Sequence, residues 1–404
     1  LDKEKLLKYT DTAILVFLSL HVISSQWSVA ASSIGLGGMI ILAGFRLLID
    51  RNIFKPGRKL FYLFGALIFV YMIASVFSID PASSFSNSRR VFLFAGFFVT
   101  IVFISNLKQL KIILTVFFLF TAFISIIELV RYFTDYFTNH SKPIYELRIE
   151  YYGYPITNGE IKMLILLLLT VLILTKETFV LNKLWLILIS IPVFFSLYFT
   201  NSRNAVLGLF VGLIIIGSLK NKYFLAALII IVILFLVLAP LPIKERVLSI
   251  VDFNHPSIKS RFIMWDIGLK IIRDYPVLGI GDTDIIKVYT NYKPIQFHGE
   301  GSHLHNNYFQ VAATIGITGL IVWLVLMIYL FVRQIKIYLR TRGNLILNSL
   351  ALVSIVSMVA FQVSGLTEWN FGDFEFAAVL WFMLGLAFLS EKLYNKSAHE
   401  NAKA

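Results

Sequence analysis

Run after run of about twenty apolar residues, each closed by a glycine, a proline or a charge, constrains this chain more than any other feature. The stretch from Tyr223 to Ala239, YFLAALIIIVILFLVLA, is one of many. Crossing a hydrocarbon core of about 30 Å takes roughly 20 such residues, with a lower limit near 17. The whole chain of 404 residues is 58% hydrophobic and 15% charged, and its mean hydropathy of +0.80 lies far above that of a soluble domain. The expected fold class is therefore an all-α polytopic integral membrane protein. Leu1 to Tyr9 leads directly into the first span with no small-residue cleavage pattern, so that span reads as retained. With no cysteine in the sequence, disulfides, thiolate metal sites and cysteine nucleophiles are excluded.

Apolar windows set against their punctuation give about twelve spans. They fall near residues 10 to 25, 28 to 48, 60 to 79, 91 to 106, 110 to 132, 159 to 175, 182 to 199, 204 to 219, 222 to 240, 317 to 339, 346 to 366 and 374 to 390. With the N-terminus inside, every inside segment is basic: Lys3, Lys5 and Lys8; Arg51, Lys55, Arg58 and Lys59; Lys108 and Lys111; Lys176 and Lys183; Lys220 and Lys222; Arg333, Lys336, Arg340 and Arg342; Lys392 and Lys396. That is the asymmetry the positive-inside rule requires, and it puts both termini in the cytoplasm. Three units follow: residues 1 to 240 with nine spans, a cap at 241 to 316 carrying amphipathic helices, and residues 317 to 404 with three spans and a cytoplasmic tail. No internal repeat or low-complexity tract divides them further.

The net charge of +13 does not point to nucleic acid, because the outward arginines form no continuous stripe. Those outward arginines are nevertheless the informative exceptions to the charge rule. The exceptions include Arg89 and Arg90 after SSFSNS, Arg203 in FTNSRNAVLG, the segment from Arg131 to Ile156, and a cap insertion holding Lys244, Arg246, Lys259, Arg261, Lys270, Arg273, Lys287 and Lys293; Arg89, Arg90, Arg203 and Arg261 stand beside membrane helices. Arg203 sits between two spans with almost no loop, so its guanidinium lies close to hydrocarbon. Snorkelling to lipid phosphates would account for it; so would a bound phosphate ligand, which a planar guanidinium grips with two parallel hydrogen bonds. Arg89 and Arg90 serve equally as anchors at the start of a span. Arg261 belongs to an amphipathic helix from about Ser260 to Asp274, with Ile263, Ile267 and Ile271 on one face and Trp265 near its rim. That helix is expected to rest on the outer leaflet surface. Pro276, Gly279 and Gly281 then read as a turn rather than a dinucleotide loop.

The run SHLHNNYFQVAATIGITGL, Ser302 to Leu320, crowds polar groups at the lip of a span. An unbroken helix from His305 to Arg340 would be about 54 Å long, so a break is expected at Gly316 or Gly319. The short outer helix left by the break would carry His305, Asn306 and Gln310. An interfacial histidine with an asparagine cap explains these residues blandly; a general base explains them functionally, since imidazole accepts a proton near neutral pH. His298, His303 and His305 share a segment, but their spacing matches no zinc pattern and Glu300 is the only acid within it, so no metal site is expected. Glu128 and Arg131, three apart, are expected to pair locally. Glu368, in the outer link SGLTEWNFGDFEF, is placed to orient a substrate or an arginine.

The ordered set TNSRN, SRFIMW, DYPVLGIGD and HNNYFQVAATIGITG resembles the O-antigen ligase family, by motif from about Phe199 to Leu320 and by span count over the whole chain. That resemblance implies a metal-independent, cofactor-free glycosyltransferase with a GT-C-like arrangement of membrane helices and a periplasmic cap, set in a bacterial inner membrane. It implies transfer of a glycan from undecaprenyl pyrophosphate to a sugar hydroxyl of lipid A core, on the periplasmic face. His305 matches the family's essential histidine. Arg203 and Arg261 match its pyrophosphate-associated arginines, and Arg89 or Arg90 falls where another is expected. Asn306, His303 and Glu368 are the remaining candidates for substrate contact. A polymerase of the same superfamily stays open, as does a transporter of anionic lipid-linked substrates. The latter would place ionisable residues deep in the helices and show inverted repeats.

Overall fold

In the computed structural model the described residues are 3–50, 53, 57–138, 147–238, 256–294 and 301–401. Among them there are helices and no strands, as lipid demands of a chain that must satisfy its backbone within each span. In order they are α1 (Lys3–Ser24), α2 (Val29–Ile49), α3 (Arg58–Val76), α4 (Pro81–Ser88), a 3-10 turn (Arg89–Leu93), α5 (Phe94–Phe103), α6 (Leu107–Thr138), α7 (Pro155–Leu174), α8 (Lys183–Thr200), α9 (Arg203–Lys220), α10 (Lys222–Leu238), α11 (Pro256–Asp274), α12 (Ile286–Tyr292), α13 (Asn307–Arg340), α14 (Leu345–Ser364) and α15 (Phe374–Asn401). Ten of these are long and apolar enough to cross a membrane.

Each of the twelve expected spans falls on a helix; over the described residues the fourth and the ninth are shorter than that. The fourth is only the ten-residue α5, because SSFSNSRR is spent on α4 and the 3-10 turn. The ninth, α10, is apolar after Lys222 and Tyr223 and leaves most of its described side chains exposed, so it stands at the edge of the bundle. By contrast α7, α14 and α15 bury residues on every side, the mark of central helices. Trp381 of α15 packs edge-on against Phe64 and Phe94, and Trp323 of α13 does so against Tyr308 and Phe371.

The expected Glu128–Arg131 pair does not form. Glu128 is fully buried and takes Lys162 of α7 at 2.8 Å, with Asn158 Nδ2 and Ser196 Oγ donating at 2.6 Å each. Arg131 lies instead over the rings of Tyr151 and Tyr152. A carboxylate buried this deeply needs several donors, and a neighbour three residues along the same helix cannot supply them.

The cap is tied into α13 at a kink. Ile315 and Gly316 leave helical geometry, Gly316 with φ +76°, which settles the expected break on Gly316. The carbonyls freed there do not stay unpaired: Ala313 accepts from Ile280 N–H at 2.9 Å and Thr314 from Gly281 N–H at 2.8 Å, while Ile317 N–H donates to Pro276 at 2.8 Å. The LGIGD turn thus completes a broken helix, and a Cβ on Gly316 would collide with the Val277 carbonyl. Met264, Ile267 and Ile271 of α11 pack on Ile280, Ile285 and Leu304. This face, expected against the outer leaflet, is buried on the chain itself; Phe262 and Leu269 are the exposed apolar residues of that helix.

Candidate active site

His305 does not lie on the short outer helix as expected. Asn306 is the N-cap of α13, accepting from Tyr308 N–H at 2.8 Å and Phe309 N–H at 3.0 Å, and His305 precedes it with φ +47°. A non-glycine residue in the left-handed region is uncommon and is held there by its surroundings. The neighbours on both sides are pinned. Leu304 is buried beneath α11, its N–H donating to Gln310 Oε1 at 2.8 Å and its carbonyl accepting from Trp265 Nε1 at 3.1 Å. Gly268 leaves the room for it: a Cβ there would come within 2.7 Å of a Leu304 methyl carbon.

The link between α14 and α15 is fastened to the same spot. Asn306 Nδ2 donates to the Leu366 carbonyl at 2.8 Å, Asn307 N–H to the Gly365 carbonyl at 2.8 Å, and Phe371 N–H to Asn307 Oδ1 at 3.1 Å. This brings Glu368 to His305, whose Nδ1 lies 2.9 Å and 3.0 Å from the two carboxylate oxygens. Glu368 is buried while His305 is partly exposed; in the tautomer with the proton on Nδ1, that N–H donates to the carboxylate and Nε2 is the acceptor. Burial pushes the Glu368 carboxyl up, but the hydrogen bond and charge of His305, with His303 beyond it, outweigh burial and hold it below its ordinary value. His303 stacks edge-on against His305 at 4.1 Å between ring centroids. Burial, with the His305 charge adding to it, holds His303 down at about 4 against the pull of Glu368.

The cations divide. Arg261 is half-buried on α11 and makes no hydrogen bond or ion pair among the described residues; burial lowers its affinity for a proton, and the Glu368 charge opposes that. It is the arginine electrostatically coupled to both Glu368 and His303. Arg90 faces inward, its Nε 3.2 Å from Asp282 and its guanidinium 5.7 Å from the Trp369 ring centre. Asp282 is buried, which pushes its carboxyl up against the Arg90 charge. Arg89 is exposed at the start of the 3-10 turn, so of the two adjacent arginines Arg90 is the one turned toward the site. Arg203 opens α9, half-buried. Next to it, Asn204 Nδ2 donates to Glu160 at 2.6 Å, Asn370 Nδ2 donates to the same Glu160 oxygen at 2.8 Å, and Asn307 Nδ2 donates to Asn370 Oδ1 at 2.7 Å. A buried polar chain therefore runs from the residue beside Arg203 to the second residue after His305.

Asp282, Trp369, Asn307 and Asn370 were not singled out from sequence. The one signal for Asp282 was its place at the end of LGIGD, read there only as a turn. His303, His305 and Glu368 present donor atoms within 4.8 Å of one another. Spacing along the segment could not reveal this, because the carboxylate comes from the α14–α15 link rather than from Glu300. His298 and Glu300 lie outside the described residues.

Asp373, at the start of α15, accepts from Thr157 Oγ1 at 2.6 Å. Burial pushes its carboxyl to about 7, the Thr157 bond opposing and the Glu368 and Glu375 charges adding to it. The folded state thus keeps a proton that the unfolded chain releases near 4, and stability falls as pH rises through that window. Thermal unfolding in detergent is expected to show a lower midpoint at pH 7 than at pH 5, with Asp373→Asn flattening the slope; equal slopes in both proteins would contradict this.

A polytopic helical membrane protein with a carboxylate-oriented histidine and inward arginines beneath a helical cap is the class that fold and site define. Residues 185–324 match the family model described as O-antigen ligase, a family of glycosyltransferase-like membrane enzymes, and this match supports the O-antigen ligase family for the chain. It takes in Arg203, Arg261, His303, His305 and Asn306, and stops before Glu368. No curated protein matches the chain.

Proposed function

We propose that this protein is an O-antigen ligase that moves a glycan from undecaprenyl pyrophosphate to a sugar hydroxyl of lipid A core, at a site facing the periplasm. The observation that carries the reading is the His305–Glu368 pair at the lip of α13 with Arg261 beside it. Glu368 accepts a hydrogen bond from Nδ1–H, which leaves Nε2 to take the proton of the acceptor hydroxyl. The acceptor oxygen then bonds to the anomeric carbon as the carbon–oxygen bond to pyrophosphate breaks, its electron pair leaving with the phosphate. Arg261 and Arg203 counter that growing negative charge, and a fixed cation beside lipid does so far better than one in water. The guanidinium groups supply the charge that a metal ion supplies in other transferases, so the reaction as proposed requires none. Arg90 acts from behind, holding the cap turn through Asp282 and the Glu368 link through Trp369.

The test is product identity. Purified protein is given glycan-linked undecaprenyl pyrophosphate with either lipid A core or a second lipid-linked unit. Glycan on the core is expected. Glycan on the second unit would make the chain a polymerase, and no product with either acceptor would end the enzymatic reading.

A further inference from the structure

We propose that His303, His305 and Glu368 form a binding site for a divalent transition metal, with Zn²⁺ as the fitting ion, and that occupancy switches the histidine base off. Three donors converge from two loops: His303 Nδ1 lies 3.7 Å and His305 Nδ1 2.9 Å from Glu368 Oε1. Zinc bonds of 2.0–2.2 Å in a tetrahedron set donors about 3.4 Å apart. The His303 pair already stands near that separation and the His305 pair needs to open by about half an ångström. His303 Nδ1 also lies 3.4 Å from the His305 backbone N–H, a long contact that its lone pair gives up when it turns to a metal. Two imidazole nitrogens and a carboxylate brought this close together offer a cation three donors. Both histidines are half-exposed while Glu368 is buried, which leaves one side open for a water as fourth ligand, two imidazoles and a carboxylate being a common zinc donor set.

The consequence follows from the two nitrogens of one ring. With Glu368 accepting from Nδ1–H, the His305 Nε2 lone pair is free to take a proton. With zinc on Nδ1, the neutral ring carries its single proton on Nε2 and has no lone pair left there. The two states exclude each other. The inhibition rests on the base role proposed above; the site itself does not.

Tag-free purified protein in lipid nanodiscs is titrated with ZnCl₂ by calorimetry, and the bound metal is examined by X-ray absorption. One zinc per chain is expected, bound to two imidazole nitrogens and at least one oxygen, with binding weakened by His303→Ala and by Glu368→Gln more than the roughly 10- to 100-fold that loss of an outer-shell partner costs. Glycan transfer by the wild-type protein is expected to fall as zinc fills the site and to return with chelator. No saturable binding, or equal binding by wild type and both variants, overturns the site. Binding that leaves transfer unchanged overturns the switch. Zinc binding by the wild-type protein, lost in His305→Ala while that variant stays fully active in transfer, would leave the site standing and sink the base role instead.

Discussion

Replacing His305 with alanine is expected to lower the rate of glycan transfer by about 10²- to 10⁴-fold, the usual contribution of a positioned general base. Affinity for the lipid-linked donor should stay within a few-fold, because the groups proposed to hold the diphosphate, Arg203 and Arg261, lie on α9 and α11. The fold should survive. His305 is partly exposed and its ring makes no hydrogen bond to the backbone of the described residues; Asn306 still caps α13 and Leu304 still fills its place beneath α11. Relief of a left-handed histidine offers no compensation, since alanine tolerates that region no better. Turnover by the variant and donor binding measured on the same preparation check this. Loss of both together would assign His305 to binding rather than to proton transfer.

The second large effect is expected at Glu368. Exchange for glutamine keeps the size of the side chain but removes the charge that steadies an imidazolium, and a carboxamide can offer N–H toward Nδ1 and favour the wrong tautomer. A fall in kcat of roughly 10²- to 10⁴-fold is expected, with KM for the donor little changed. Glu368→Asp retains the charge on a side chain one methylene shorter and should recover part of the rate. If glutamine and aspartate variants both matched the wild type, Glu368 would have no part in orienting the base.

Much of the fold was legible because lipid enforces it. A run such as Tyr223 to Ala239 has few alternatives to a helix, and all twelve expected spans fall on helices. Their lengths were less legible: α5 is short because α4 and the 3-10 turn take up the polar residues ahead of it, an outcome decided by packing against Asp282 and the cap turn. The kink at Gly316 was visible as a helix too long for its membrane. Its cause was not, since it depends on the LGIGD turn donating to the freed carbonyls.

The candidate site divides in the same way. Polar residues at the mouth of an apolar span announce themselves, so His305, Arg203 and Arg261 stood out one by one. What joins them is separated along the chain: Glu368 is sixty-three residues from His305, and Glu160 meets Asn370 from 210 residues away. Local rules misled where burial decides. Arg131 was the nearest cation to Glu128 along the chain, yet the buried carboxylate is satisfied by Lys162, Asn158 and Ser196 from two other helices. Spacing along the His298–His305 segment could not show the nearness of Glu368 to His303 and His305, because that carboxylate comes from a different loop.

A proton taken from the attacking hydroxyl, with diphosphate departing from the opposite side of the sugar, permits one stereochemical result per transfer. Nuclear magnetic resonance of the new linkage, compared with the donor, reads it directly. Inversion at the anomeric carbon is the result predicted, and a product that keeps the donor's configuration would contradict the account.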